Sequence, residues 1–371
     1  MAGRENMEET RKKKQSNKNW VTIRDVARHC NVGKSTVSRV LNGNLNEFPV
    51  SEAMIERVKN AAEELGYRPN WMARVMSDKR THLIGLSCFY TDSPNRSPDR
   101  KAFERHALWW AVDIILSLPE FEDYDLVIHY RKESPDKPLK PSDFKSDLFD
   151  GMIYLSPSDE HLEFLDMASE DFPIVLIGQV AGAEERMPCV DINNRKMARQ
   201  AVDHLIGLGR RNILMLVPEK LKHLNCMPDR QHGYRDALAE NGIQIPDESI
   251  HTVRCLKDHV DAFFENVHRL EEVDAIFCAT DDLAALCIAP LQAMGYRIPE
   301  DIALMGFGNS LICKGTSPAL SSVHLPEEKH VNTAASLLLK ILNKEIPYEP
   351  GFHEIEAELV IRESTEETKP A

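Results

Sequence analysis

Gly33-Lys34-Ser35-Thr36 carries the groups that hold phosphates in nucleotide-binding loops. That loop also needs a glycine five residues earlier, where Arg28 stands, and a strand before it. The preceding residues instead repeat their apolar members at helical spacing, so a nucleotide site is excluded. Extended to Arg39, the same stretch supports a different chemistry. Lys34, Ser35, Ser38 and Arg39 share one face of a helix whose other face is Val37, Val40 and Leu41. Lysine and arginine donors match the major-groove acceptors of guanine, and small hydroxyls match phosphates or base edges. A plain solvated basic helix has the same composition, so the surrounding elements must decide.

Thr22 and Asp25 have the spacing of a helix-start box, and Ile23, Val26, Ala27 and Cys30 then form one apolar face. Asn31-Val32-Gly33 breaks that helix. A second is expected from Lys34, ended by Asn42-Gly43-Asn44. Ser51 is expected to cap a third, with Met54, Val58, Ala62 and Leu65 inside and Gly66 at its end. Two short helices with a tight turn, then a third, is the helix-turn-helix plan. Charge agrees with it. Residues 1–81 hold 16 Lys/Arg against 10 Asp/Glu, whereas the whole chain holds 45 against 59. A basic head on an acidic body points to a polyanion partner for the head alone.

From residue 82 short apolar runs alternate with helical periodicity. Strands are expected at 83–89, 126–128, 151–155, 174–177, 213–217, 275–279 and 302–306. Helices are expected at 102–118, 194–208, 230–241, 281–294 and 327–343. That alternation implies βαβ units and parallel sheets, and its length implies two lobes with a ligand cleft between them. No run approaches about 18 apolar residues, so no membrane helix is expected. The first 18 residues carry nine charges and no apolar core, which leaves the cytoplasm as the expected compartment. The eight cysteines form no CxxC pair, and the 14 histidines are dispersed. Separate buried thiols, with no metal and no cofactor, are expected.

Residues 21–27, 35–43 and 61–70 closely resemble the LacI/GalR transcription-factor family. The likeness continues through Asp150-Gly151-Met152-Ile153, His204 to Ile213, Arg230 to Leu238 and Leu359 to Thr365, covering residues 20–365. It implies an all-α helix-turn-helix DNA-binding head on an α/β, two-lobed, periplasmic-binding-protein-like body. It also implies three crossovers between the lobes and a homodimer. The expected divisions are a disordered basic tail at 1–18, the head at 19–67 and a hinge helix at 68–80. The N-terminal lobe is expected at 81–180 and 324–346, the C-terminal lobe at 181–323 and 347–366. Gly33 stands where a serine is common.

The resemblance implies DNA contacts by Thr22, Lys34, Ser35, Thr36, Ser38, Arg39, Asn42 and Arg74, with Met76 as a minor-groove wedge from the hinge. The hinge, about two turns capped by Asn70, is marginal alone in water. For the effector, Arg230 is the firmest match, its forked donors suiting sugar hydroxyls or a carboxylate. Phe89 aligns with a stacking position and Thr280 with a contact position. Asn193 stands where an aspartate is frequent, and Gly308-Asn309 replaces an Asp-Asp pair. These departures predict a cleft short of carboxylates.

The expected function is a sequence-specific transcriptional regulator, a repressor before an activator, located in the cytoplasm at the nucleoid. Its expected partners are a pseudo-palindromic double-stranded DNA operator and a sugar or sugar-acid effector, with no membrane. A solute-binding protein of the same lobes would carry a secretion signal and no head. A sugar-phosphate enzyme would show catalytic motifs such as GxSxG or HExxH, and none is present.

Overall fold

In the computed structural model the described residues are 21–41, 50–67, 80–88, 98–129, 148–155, 168–222, 224–244 and 249–366. The chain divides into two units, 1–81 and 82–371.

The first unit contains α1 (Ile23–His29), α2 (Lys34–Leu41) and α3 (Glu52–Glu64). The Asp25 carboxylate accepts from the Thr22 N–H at 2.9 Å and from its hydroxyl at 2.6 Å. Those bonds hold the Asp25 carboxyl below its usual range. The turn is made by Asn31, at φ +50°, and not by Gly33. Past Asn31 the Val32 N–H returns to the Ala27 carbonyl at 3.0 Å. Gly33 starts α2, its carbonyl accepting from Thr36 and Val37. Ser51 starts α3 through its carbonyl, whereas its side chain makes no capping bond, contrary to expectation. Gly66, at φ +67°, ends α3, and the Tyr67 N–H reaches the Ala62 carbonyl at 2.8 Å. Val26, Ala27, Cys30, Val37, Val40, Val58, Ala61 and Ala62 form the core, with Met54 and Leu65 at its margin. The Arg57 guanidinium bonds the Cys30 carbonyl and ties α3 to the turn.

The second unit has two six-stranded sheets. The first has order β11-β5-β4-β3-β1-β2: β1 (Leu83–Cys88), β2 (Asp125–His129), β3 (Gly151–Leu155), β4 (Ile174–Ile177), β5 (Pro188–Asp191) and β11 (Gly351–Glu354). The second repeats the pattern as β12-β10-β9-β8-β6-β7: β6 (Ile213–Pro218), β7 (Ile250–Val253), β8 (Ala275–Cys278), β9 (Ala303–Gly308), β10 (Ser321–His324) and β12 (Glu358–Val360). Neighbours run parallel except β10 and β12, which pair antiparallel with Val323 opposite Leu359. Helices α4 (Pro98–Ser117), α5 (Asn194–Gly207), α6 (Cys226–Glu240), α7 (Lys257–Asn266), α8 (Asp281–Ala293), α9 (Ile312–Gly315) and α10 (Glu327–Leu342) intervene. None of the described helices is long and apolar enough to cross a membrane.

The chain passes between sheets three times: at 191–194, 324–327 and 354–358. The lobe boundaries expected at 181 and 347 are corrected by the strand pairing. Both β5 and β11 belong to the first sheet, with Val190 opposite His353, so the first lobe runs through 191 and takes back 351–354. The segment 358–365 is built into the second lobe. Ser364 Oγ donates to the Leu304 carbonyl at 2.6 Å and accepts from the Ser321 N–H at 2.8 Å. Ser364 and Thr365 are fully buried.

Candidate functional site

On the head, α2 turns Val37 and Val40 inward, which leaves Lys34 and Ser35 exposed and Thr36, Ser38 and Arg39 half-buried on the opposite side. The helix therefore begins with a short, cationic, hydroxyl-bearing surface of the kind that enters a major groove. Thr22 sits at the start of α1 with its hydroxyl committed to Asp25. Asn42, Arg74 and Met76, with nearly all of the hinge, lie outside the described residues, as does Phe89.

In the body, Arg230 on α6 is 5 % exposed. Its Nε donates to Asn194 Oδ1 at 2.9 Å, and Nη1 donates to the Ala279 carbonyl at 2.6 Å. Its guanidinium carbon lies 3.6 Å from the centre of the Phe307 ring. Burial lowers the Arg230 pKa, while neighbouring carboxylates at 191, 281 and 229 oppose the shift. The surroundings of Arg230 are thus richer in carboxylates than the sequence predicts. Asn194 is held by Asp191, whose Oδ2 accepts from Asn194 Nδ2 at 3.1 Å.

Thr280 follows the Ala279 carbonyl that Arg230 bonds. Its hydroxyl is buried without a partner among the described residues. Asp281, next in sequence, is anchored by the Ser322 hydroxyl at 2.5 Å and the Ser310 N–H at 2.7 Å. Gly308 has φ +134°, and a Cβ there would lie 2.9 Å from Asp281 Oδ2. A side chain at 308 would strike the Asp281 carboxylate, which gives the glycine a steric reason. Asn309 is committed elsewhere: Oδ1 accepts from Arg362 at 2.5 Å and Nδ2 faces His324 at 3.2 Å. Asn193 caps α5, accepting from the Lys196 N–H at 3.0 Å.

Arg230 and Thr280 therefore come together at the carboxyl ends of β8 and β9. Asn193, Gly308 and Asn309 serve the local backbone or a neighbouring network. Sequence reasoning missed Asn194, Asp191 and Phe307. An aspartate and an asparagine three apart after Val190 were the available signal, hidden because β5 was not recognised. Of the described cysteines, Cys30, Cys189, Cys278, Cys287 and Cys313 are buried and Cys226 and Cys255 half-buried, all as free thiols. No group of three His, Cys, Asp or Glu among the described residues is placed to hold a metal.

A helix-turn-helix head and a body of two parallel-sheet lobes laced by three crossings define a DNA-binding regulator with a two-lobed body. Residues 22–70 match the model of bacterial regulatory proteins of the lacI family, and residues 202–365 match a periplasmic binding protein-like domain. Catabolite control protein A of Priestia megaterium is 31% identical, covering 88% of this chain and 93% of that protein. The solved complex of the transcriptional regulator CelR with cellobiose is 29% identical, with TM-score 0.63 over 93% of this chain and 99% of that one. The lac repressor dimer on its operator shares the fold, with TM-score 0.74 at 20% identity over 93% and 99%. The chain belongs to the LacI family. It is a DNA-binding transcriptional regulator and not an enzyme.

Proposed function

We propose that a homodimer of this chain represses transcription at a pseudo-palindromic operator, and that a sugar or sugar acid between its lobes sets the occupancy. The head (19–67) would read the major groove through the outer face of α2, and the hinge (68–80) would place Met76 as a minor-groove wedge. Arg230 carries the effector reading. It is buried under the Phe307 ring with Nε and Nη1 bonded, and the carbonyl that Nη1 meets belongs to Ala279, next to Thr280, whose hydroxyl has no partner among the described residues. A forked cation beside a buried hydroxyl suits the hydroxyls or carboxylate of a sugar or sugar acid. The CelR–cellobiose complex supports that ligand class. Trp109 and Leu116, exposed seven residues apart on α4, support a second copy as partner. Such a regulator would act in the cytoplasm, at the nucleoid.

Ligand that favours one lobe angle shifts the population competent for DNA; a coupling of about 1–3 kcal/mol gives roughly 5- to 150-fold control. The test selects bound fragments from the protein's own genome, then measures mobility shifts with and without a panel of sugars and sugar acids. Indifference to every duplex at modest ionic strength, with and without the panel, overturns the proposal.

A further inference from the structure

We propose that His330, carrying a proton, is the residue that positions Arg230, acting through Asp191 and Asn194. The inference rests on the reading of Arg230 as a ligand contact. His330 lies in the first turn of α10, just past the second crossing, and is 4 % exposed. Its Nδ1 is 2.9 Å from the Pro326 carbonyl oxygen, and its Nε2 faces Asp191 Oδ1 at 3.4 Å. A carbonyl oxygen only accepts, so Nδ1 carries a hydrogen. The neutral ring would then turn a lone pair toward a carboxylate, and Nε2 has no hydrogen-bond partner among the described residues. Each ring nitrogen thus faces an acceptor, and a proton on Nε2 turns its contact with Oδ1 from opposed lone pairs into an ion pair.

On the imidazole, that proton completes an ion pair and leaves both Asp191 oxygens free to accept. Oδ1 takes the Ile192 N–H at 2.8 Å, and Oδ2 takes Asn194 Nδ2 at 3.1 Å. The Asn194 amide is thereby fixed in one sense, with its oxygen turned to Arg230 Nε. The relay joins the first crossing, which holds Asp191 and Asn194, to the second, which holds Pro326 and leads into the turn of α10 that carries His330.

Asp191 is the carboxylate that meets the ring. The elements packed on α10 are α4, β3, β4 and β5. Among their ionisable groups, β5 adds Cys189, whose thiol burial pushes up to about 12, so it is uncharged at neutral pH. β3 adds Tyr154 and β4 adds none. Of the described α4 side chains Asp113 is exposed, and on α10 Glu327, Glu328, Lys329 and Lys340 are exposed. Beyond Asp191 lie Arg230, Asp229 and Cys226, which act on it electrostatically. Without that proton the ring turns a lone pair to the carboxylate, and the ion pair that orders Asp191, Asn194 and then the Arg230 Nε–H is absent.

The test is a long-range 1H–15N spectrum of the full-length protein labelled in histidine and arginine, without ligand, titrated over about pH 5 to 8, where histidines change charge. The expected result is an Nε2–H and an Nδ1–H on His330 together, and an Arg230 Nε–H resonance lost in step with the His330 Nε2–H as pH rises. In His330→Gln the Arg230 resonance should be weakened at every pH, with no step. A His330 that is neutral throughout, or an Arg230 Nε–H indifferent to its state, overturns the proposal. So does His330→Leu keeping the wild-type Arg230 signal, because packing would then suffice. If the variants fail to fold, the wild-type titration decides alone. The readout contains no ligand, so its failure removes the relay and leaves the ligand-site reading untouched.

Discussion

The guanidinium of Arg230 lies over the ring of Phe307, 3.6 Å from its centre, so α6 and the end of β9 meet through a cation and a π face. Phe307 is 2 % exposed, and Arg230 is anchored on its other edges by Asn194 and Ala279. Lysine keeps the charge but lacks the planar fork. Arg230→Lys is expected to leave an unpaired acceptor, lowering stability by about 1–3 kcal/mol. It should also abolish the response to the sugar panel while operator affinity without ligand is retained. Urea unfolding and mobility shifts measure the two effects; a normal sugar response takes Arg230 out of the site.

Lys34 is exposed at the start of α2, where a groove-reading side chain belongs. Lys34→Ala should cost about 1–3 kcal/mol at one operator position and relax the preference there. Binding to a library of single-base operator variants checks this. A uniform loss across all variants would make Lys34 a phosphate contact only.

Gly33 starts α2 in space that accepts a side chain: the nearest atom to an added Cβ is Ser35 Oγ at 3.5 Å. Gly33→Ser should supply a capping oxygen and raise stability by a few tenths of a kcal/mol, about what separates serine from glycine at such positions. Thermal unfolding of the full chain, followed by a probe in the head, reads the change. A lower midpoint would mean that the α1–α2 turn needs glycine for another reason.

Gly233 on α6 packs against α5 so closely that an added Cβ would lie 2.1 Å from the Arg195 carbonyl oxygen and 2.9 Å from Ala198 Cβ. The obstacle is backbone, so it cannot rotate away. Gly233→Ala is expected to cost about 3 kcal/mol or more, at the upper end of overpacking changes. Denaturant unfolding tests it, and a loss below about 1 kcal/mol would show that the two helices can separate cheaply.

Burial lowers the pKa of His204, which faces Thr365 Oγ1 at 3.2 Å. The folded state then binds a proton less readily than the unfolded chain. Its contribution is fully present above the ordinary imidazole value and is lost as pH falls through that range. His204→Gln should therefore flatten the decline of the unfolding midpoint on acidification. An unchanged acid limb in His204→Gln would place the sensitivity elsewhere.

The parts of the fold legible in the sequence were those written locally. Strands β1, β3, β6, β8 and β9 are short apolar runs because both faces are covered, and α5, α8 and α10 keep helical periodicity. Strands β5, β7, β10, β11 and β12 carry proline, histidine, serine or glutamate in runs of three or four residues, too short for a period to show. The lobe boundary was misread because it depends on β11 pairing with β5, a contact with no local signature. In the described part of the head the three helices were legible from their apolar faces, and of the expected break Asn31-Val32-Gly33 it is Asn31 that takes the left-handed conformation. Arg230 was singled out through its segment. Its partners Asn194 and Phe307 come from the start of α5 and the end of β9, which only the tertiary fold brings together.

The stitching of Ser364 and Thr365 into the second lobe has a consequence during synthesis. A nascent chain exposes the head and the inner strands of both sheets well before residues 358–365 emerge. Until they do, β10 is an open edge and the Leu304 carbonyl lacks the hydroxyl it receives from Ser364. An uncovered strand edge is a template for pairing with other chains. Ribosomes stalled or terminated before that segment would therefore release a polypeptide prone to clump, and only a finished one can seal its own flank.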